Sequence, residues 1–281
     1  MYTNFHSHCT FCDGRESMEE FVKFAIAKGL KKYGFSSHAP IPFHTSWTMN
    51  ADDYPDYEKE FYRLKQKYSP QIELYLGLEI DYIPQCTSAK SDFFSDKKLD
   101  YAIGSVHYLD PLSDGSFWSI DGPYEEFETG INELFNGDIE AATARYYEVL
   151  TEMLYCGGFD IVGHFDKITM HGSRFASFDI HAGWYKQLVY DFLKVAVKKK
   201  YLIEVNTKAF ITKGITYPDN AFFPLLKELD IPVIVNSDCH YPDKITAGFP
   251  EAYAALNNAG IKEVYQLSGA GWEPVDIRTL I

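Results

Sequence analysis

Short apolar runs alternate with longer amphipathic ones along the whole chain, and the hydrophobic period switches repeatedly between two and about 3.6 residues. Such alternation marks consecutive strand–helix units and hence a parallel sheet. Seven runs read as strands, at roughly 2–8, 33–38, 72–80, 99–107, 159–164, 201–206 and 232–238. Between them, "SMEEFVKFAIAKGL" opens with Ser17 and Glu20 at capping-box spacing and closes on Gly29. "YPDYEKEFYRLKQKY", "IEAATARYYEVLTEMLYCG", "AGWYKQLVYDFLKVAVKKK" and "FFPLLKELD" carry the other helical patterns. The stretch 108–137, rich in Gly, Asp and aromatic residues, is expected to be a long loop serving as a lid or recognition element. No repeat or linker divides the chain, so one domain over 1–281 is expected.

The ends of the seven runs share a property. They stop in His6/His8, His38, Glu79/Asp81, His107, His164/Asp166, Glu204/Asn206 and Asp238/His240. The C-terminal rim of a parallel α/β barrel is its active face, where residues from several strands converge. His6 and His8, two apart on a strand, point to the same side. The expected ring comprises His6, His8, Asp13, His38, Glu79, His107, His164, Asp238 and His240. Nine ligands are too many for one ion; with one bridging carboxylate they match three. Imidazoles and carboxylates suit zinc, iron or manganese in a hydrolytic role better than a structural four-cysteine zinc site. Clustered ions lower the pKa of a bound water and clamp both oxygens of a displacement, which suits hydrolysis of a phosphate ester.

Composition narrows the field. A formal net charge of −14 argues against a nucleic-acid backbone binder. The five cysteines (9, 12, 86, 156 and 239) form no disulfide framework, and the Cys9–Cys12 pair has no second pair to complete a zinc ribbon. No apolar stretch approaches the ~20 residues of a membrane span, and no signal-peptide pattern opens the chain. A cytoplasmic location is expected, with a small-molecule phosphate ester as partner, neither nucleic acid nor membrane, and a monomeric or homodimeric state.

Plainer roles compete at several positions. Alone, His6 and His8 would be ordinary half-buried strand histidines. Asp81 is expected to support a ligand rather than bind, Cys239 to face the core, and Cys12 to pack. His44, His171 and His181 read as surface or loop residues, His44 being a candidate for the substrate rim. Asn206 either satisfies backbone groups at a strand end or bonds substrate. The lysines at 198–200 and the acidic residues near 52–60 read as solvated helix faces.

"HSHCTFCDG", "GFSSHAP", "GLEIDY", "IGSVHYL", "FDIVGHFD", "EVNT" and "NSDCH" occur in that order between residues 4 and about 248. As an ordered set they resemble the polymerase and histidinol phosphatase (PHP) family, in its histidinol-phosphatase branch. The resemblance implies an α/β fold, a distorted seven-stranded TIM-like barrel, with three divalent transition-metal ions (zinc, iron or manganese). It implies hydrolysis of L-histidinol phosphate to histidinol and phosphate, a late step of histidine biosynthesis, by hydroxide held between metals. Carried over by position, His6, His8, Glu79 and Asp238 would hold one ion. Glu79 would bridge to a second on His107 and His164, and Asp13, His38 and His240 would take a third. Asp238 or His240 would help move protons. The chain departs from the family at its substrate loops: "GHFDKITMHGSR" offers Lys167 and Arg174 where relatives often carry an early arginine, and "KAFITKG" follows "EVNT". Phosphate contacts are expected from Arg15, Lys167, Arg174, Lys208 or Lys213, with Asn206 as a further substrate contact. Three alternatives remain: a phosphoesterase for another small ester or nucleotide, an amidohydrolase (disfavoured because no strand stops in lysine), and a non-catalytic metal-binding barrel.

Overall fold

The computed structural model describes residues 1–281. The first half runs α1 (Met18–Ala27), β1 (Lys32–Phe35), α2 (Tyr54–Tyr68), β2 (Glu73–Asp81), β3 (Tyr101–Ser105), β4 (Tyr108–Pro111), β5 (Phe117–Ser119), α3 (Tyr124–Phe135) and α4 (Ile139–Cys156). Then come β6 (Ile161–Val162), α5 (Thr169–Gly172), α6 (Gly183–Lys199), β7 (Leu202–Asn206), α7 (Phe210–Lys213), α8 (Phe223–Glu228), β8 (Val233–Asn236), α9 (Phe249–Asn258), β9 (Glu263–Ser268) and β10 (Gly271–Asp276). Six strands pair in parallel in the order β1-β2-β3-β6-β7-β8.

The expected first strand, 2–8, is not a continuous ladder. It is an extended segment with one bridge to each edge of the sheet, Asn4 to Tyr33 and Ser7 to Cys239. Side chains stand where ladder bonds would form: Asn4 Oδ1 accepts from Ser237 N–H (3.1 Å), and Asn236 Oδ1 accepts from Phe5 N–H (2.8 Å). The segment still joins β1 to the chain beyond β8 and so closes the ring.

Along β2 the pleat separates two environments. Leu74, Leu76, Leu78 and Ile80 pack with Phe21 of α1 and Phe61 of α2. Tyr75 points the other way and joins Phe5, Tyr101, Ile103, Ile161, Leu202, Ile234 and Leu267 in an apolar floor inside the barrel. The β9–β10 hairpin seals that floor with Leu267 and Trp272. Tyr101 lies across β1 and β2, its hydroxyl donating to Phe5 O (2.6 Å) and Phe35 O (3.0 Å). It fits because Gly34 and Gly77 carry no Cβ; one at either place would run into the tyrosine ring. Bulk thus fills the lower barrel and leaves the C-terminal rim for polar groups. The largest apolar cluster lies outside the sheet, where Tyr146, Leu150 and Phe192 of α4 and α6 cover Ile203, Val205, Val233 and Val235. No helix is long and apolar enough to cross a membrane.

Two local expectations are corrected. The stretch 108–137 is not a loop: β4 and β5 form an antiparallel pair, and α3 follows, closed by Asn136 in the left-handed conformation. Its helical period is masked in sequence by the glycines and acids beside the aromatics. At α1, Ser17 accepts from Glu20 N–H (3.4 Å), but the Glu20 carboxylate binds Lys23 (2.5 Å), so only half of the capping box forms.

Candidate metal centre

All nine residues of the expected ring meet above the apolar floor. Glu79, 1% exposed near the end of β2, is the hub. Its Oε2 lies 3.1 Å from His6 Nε2, 3.5 Å from His8 Nε2 and 3.0 Å from His38 Nδ1. Its Oε1 lies 2.9 Å from His164 Nε2 and 3.6 Å from His107 Nε2, and accepts from Ser105 Oγ at 2.7 Å. Ser105 has room because residue 163 is glycine; a Cβ there would collide with its hydroxyl. Asp238 Oδ1 is 3.0 Å from His8 Nε2, and Asp13 Oδ1 is 3.2 Å from His240 Nε2 and 3.8 Å from His38 Nε2. Four overlapping sets have ligand atoms within 4.8 Å of one another: His8–Asp13–His38–His240, His6–His8–Asp238, His6–Glu79–His164 and His38–Glu79–His107.

The backbone is forced to aim two of these groups. His164 and Asp238 have φ of +21° and +47°, a region that L side chains rarely adopt and that costs of order 1–3 kcal/mol. Both are non-glycine residues at the rim, where the ring requires their side chains.

Supporting carboxylates orient the rings. Glu204, fully buried, accepts from His6 Nδ1 (2.6 Å), Asn236 Nδ2 (3.0 Å), Asn206 Nδ2 (3.0 Å) and His164 N–H (3.2 Å). Asp81 does the same for His107, at 2.8 Å from Nδ1. A carboxylate behind an imidazole fixes its tautomer and makes the far nitrogen a better ligand. Glu204 was legible only as a strand end; that it serves His6 depends on a pairing 198 residues apart. Cys12 Sγ stands 3.6 Å from His8 Nδ1, and Cys239 is buried in the core. Trp47 walls the cluster, its ring 4.6 Å from His38 and 5.4 Å from His107.

The donor set fits a cation cluster. Five buried atoms of the ring have no hydrogen-bond partner: His6 Nε2, His8 Nε2, Asp13 Oδ1, His38 Nδ1 and His164 Nδ1. Each unsatisfied buried polar atom costs about 1–3 kcal/mol, and so many in one place are explained by a positive ligand. The charges agree. Burial works against ionisation of Glu79, yet His6, His38 and His107 hold its carboxyl well below the usual range. Burial likewise opposes Asp238, and Lys208 and His6 hold it low. Against burial, Glu204, Glu79 and Asp238 lift His6 well above an ordinary imidazole, and Asp81 and Asp121 push His107 up to about 10. Burial and the neighbouring His240 and His38 depress His8.

The expected phosphate contacts separate. Lys167, almost fully buried, has Nζ 3.6 Å from Asp121, and Lys208 Nζ lies 3.2 Å from Asp238 Oδ1 and 3.4 Å from His240 Nε2. Arg15 reaches the ring only through its backbone N–H, which donates to His240 O (2.8 Å). Arg174 is exposed and stacks on Tyr124, 3.4 Å from the ring centroid, outside the cluster; Lys213 is exposed at the end of α7. The amide of Asn206 is used up within the protein, by Glu204, Asp238 (3.1 Å) and Lys208 N–H (3.0 Å), so it has no donor left for a ligand. His44 and His181 are exposed, but His171 is half-buried and binds Gly122 O at 2.8 Å, anchoring the 108–137 insert.

Residues 4–208 match the family model described as the PHP domain. The chain belongs to the PHP family. Asp238 and His240 lie beyond the matched segment, yet fold back into the same PHP site. A Deinococcus radiodurans protein named "Probable histidinol-phosphatase" is 26% identical over 266 residues, covering 92% of this chain and 94% of that one. A Bacillus subtilis protein named "Histidinol-phosphatase" is 30% identical over 155 residues, covering 50% of this chain and 56% of that one. Among solved structures, the PHP fold here superposes on a histidinol phosphate phosphatase of Lactococcus lactis complexed with zinc, L-histidinol and phosphate. The TM-score is 0.75 at 20% identity, covering 96% of this chain and 98% of that one.

Proposed function

We propose that this PHP chain is a metal-dependent phosphomonoesterase that hydrolyses L-histidinol phosphate to L-histidinol and phosphate. The observation that carries the reading is Glu79, buried among five imidazoles, with His6 Nε2, His8 Nε2 and His38 Nδ1 left without a hydrogen-bond partner beside it and Lys208 against the neighbouring Asp238. His6, His8, Glu79 and Asp238 would hold one divalent ion; Glu79, His107 and His164 a second; Asp13, His38 and His240 a third. Zinc, iron and manganese all suit this donor set. Such ions, when bound, supply Lewis acidity, neutralising phosphate charge and lowering the pKa of water towards about 7.

The chain's own residues do the rest. Glu204 and Asp81 fix the rings of His6 and His107. Lys167 and Lys208 attract the phosphate into a molecule whose net charge would otherwise repel it. Asp238 or His240, both in contact with Lys208, would help move the proton that the departing alkoxide takes up. The names of the curated relatives and the histidinol and phosphate held by the Lactococcus neighbour support the choice of ester.

The test combines metal analysis of the purified protein with phosphate release from a substrate panel. About three transition-metal ions per chain and a clear preference for histidinol phosphate over p-nitrophenyl phosphate, sugar phosphates and a dinucleotide are expected. Equal rates across the panel would remove the substrate assignment, and no turnover by metal-loaded protein would remove the enzyme.

A further inference from the structure

Asp121 is a carboxylate without a structural task. It lies in "SIDGP", just before α3, where an aspartate ordinarily caps the helix or closes a turn. It does neither: Pro123 occupies the N-cap of α3 with no side-chain bond, and the turn is closed by Gly122 N–H donating to Ser119 Oγ (3.1 Å). Asp138 at α4, by contrast, accepts from two backbone N–H groups. Asp121 accepts no hydrogen bond. Its one partner is the ammonium of Lys167 at 3.6 Å, inside ion-pair range but too long for a hydrogen bond. The Lys167 ammonium has no hydrogen bond either; besides Asp121 it has the Tyr217 ring at 5.3 Å, and the side chain is 6% exposed.

The pair is held rigidly against the metal centre. Ile120 N–H donates to His107 O (2.9 Å), and Lys167 N–H to His164 O (2.9 Å). His171 clamps the adjacent Gly122 carbonyl. Two opposite charges, each with free hydrogen-bonding capacity, therefore stand side by side next to His107 and His164. Resting on the phosphatase reading above, we propose that Asp121 and Lys167 form a bipolar notch for a vicinal amino-phosphate: Lys167 takes the phosphate and Asp121 the ammonium of the same substrate. In histidinol phosphate the amine is four bonds from phosphorus, so both charges of one molecule meet their opposites. Asp121 is then the residue that distinguishes a 2-amino-alkyl phosphate from a simple alkyl phosphate.

The experiment compares kcat/KM for L-histidinol phosphate and its des-amino analogue, 3-(imidazol-4-yl)propyl phosphate, in metal-loaded wild type, Asp121→Asn, Asp121→Glu and Lys167→Met. The wild type is expected to prefer the amine at least tenfold, mainly through KM. Asp121→Asn should reduce the preference to under threefold, and Asp121→Glu should restore part of it. Lys167→Met should raise KM for both esters and leave a preference above fivefold. A merely structural Asp121 would lower both esters together and keep the ratio. Turnover of both esters at equal efficiency by the wild type, or an unchanged ratio in Asp121→Asn, overturns the notch while the phosphatase stands. No turnover of either ester overturns both.

Discussion

At the scale of single residues, Glu204 shows how a group outside the metal-ligand set can govern the site through the ligands it holds. Its two oxygens each accept two bonds: Oε1 from His6 and Asn236, Oε2 from His164 and Asn206. Glu204→Gln places an NH2 against two donors whichever way the amide turns. Burial would by itself raise this carboxyl, yet His6 holds it low, so the ionised form is the one the site uses. The expected result is a loss of about 1–3 kcal/mol in denaturant stability and a fall of about 10- to 100-fold in metal affinity or activity. Glu79→Gln should cost more metal, because Glu79 stands against five rings and not one. Metal titration of the two variants checks this order; Glu79→Gln with full metal content would end the hub assignment.

Among elements, α1 and α2 are tied by one carboxylate. Glu19 of α1 meets Arg63 (2.6 Å), Lys67 (2.5 Å) and the Tyr68 hydroxyl (2.8 Å) of α2. Lys67, Arg63 and Tyr68 hold its carboxyl down to about 2 from an ordinary 4.5. A depressed folded value stabilises above the unfolded value and stops doing so as pH falls through the folded one. The contribution is therefore present from about pH 5 upward and lost towards pH 2. The ions are solvent-exposed, so the effect is small and screened by salt. Glu19→Gln should lower Tm by roughly a degree or two at pH 6 in dilute buffer, and by nothing in 1 M salt. A gap that persists in high salt would mean packing, not charge. Elements also mark what could be read in advance. Each strand end was legible because a short apolar run stopped at an imidazole or carboxylate, as in "LYLGLE" and "IGSVH". The first strand was not, since the ladder bonds taken by the Asn4 and Asn236 side chains follow from a pairing over 200 residues apart. Nor was α3, whose period is hidden among turn-forming residues. What escaped are the supporting roles of Glu204 and His171, which look in sequence like any strand-end acid or loop histidine, and the position of Asp121, which looks like any turn aspartate.

For the whole molecule, the fold and the proposed cations stabilise each other. The ring is fed from seven places, including the closing segment with His6 and His8 and the tail with Asp238 and His240, so an ion held by them staples first and last turns of the barrel. A ligand that binds only the native state stabilises it by RT ln(1 + [L]/Kd), about 4 kcal/mol at a thousandfold excess over Kd. For a chain of this size that is roughly 10 °C in Tm. Chelation should lower Tm by that order, and zinc or manganese should restore it. Acidity sets the sign of a second dependence. Imidazoles must lose their protons to bind a metal, and burial notwithstanding, the carboxylates around His6 and His107 raise both above an ordinary imidazole. Protons therefore compete most strongly at those two rings, and the competition grows as pH falls. Scanning calorimetry of metal-loaded and chelated protein should show a gap that is widest near pH 8 and narrows towards pH 5.5. A gap that stayed constant over this range would place the stabilising ions on groups other than these histidines, and a chelated protein melting with the loaded one would leave the barrel held by its packing alone.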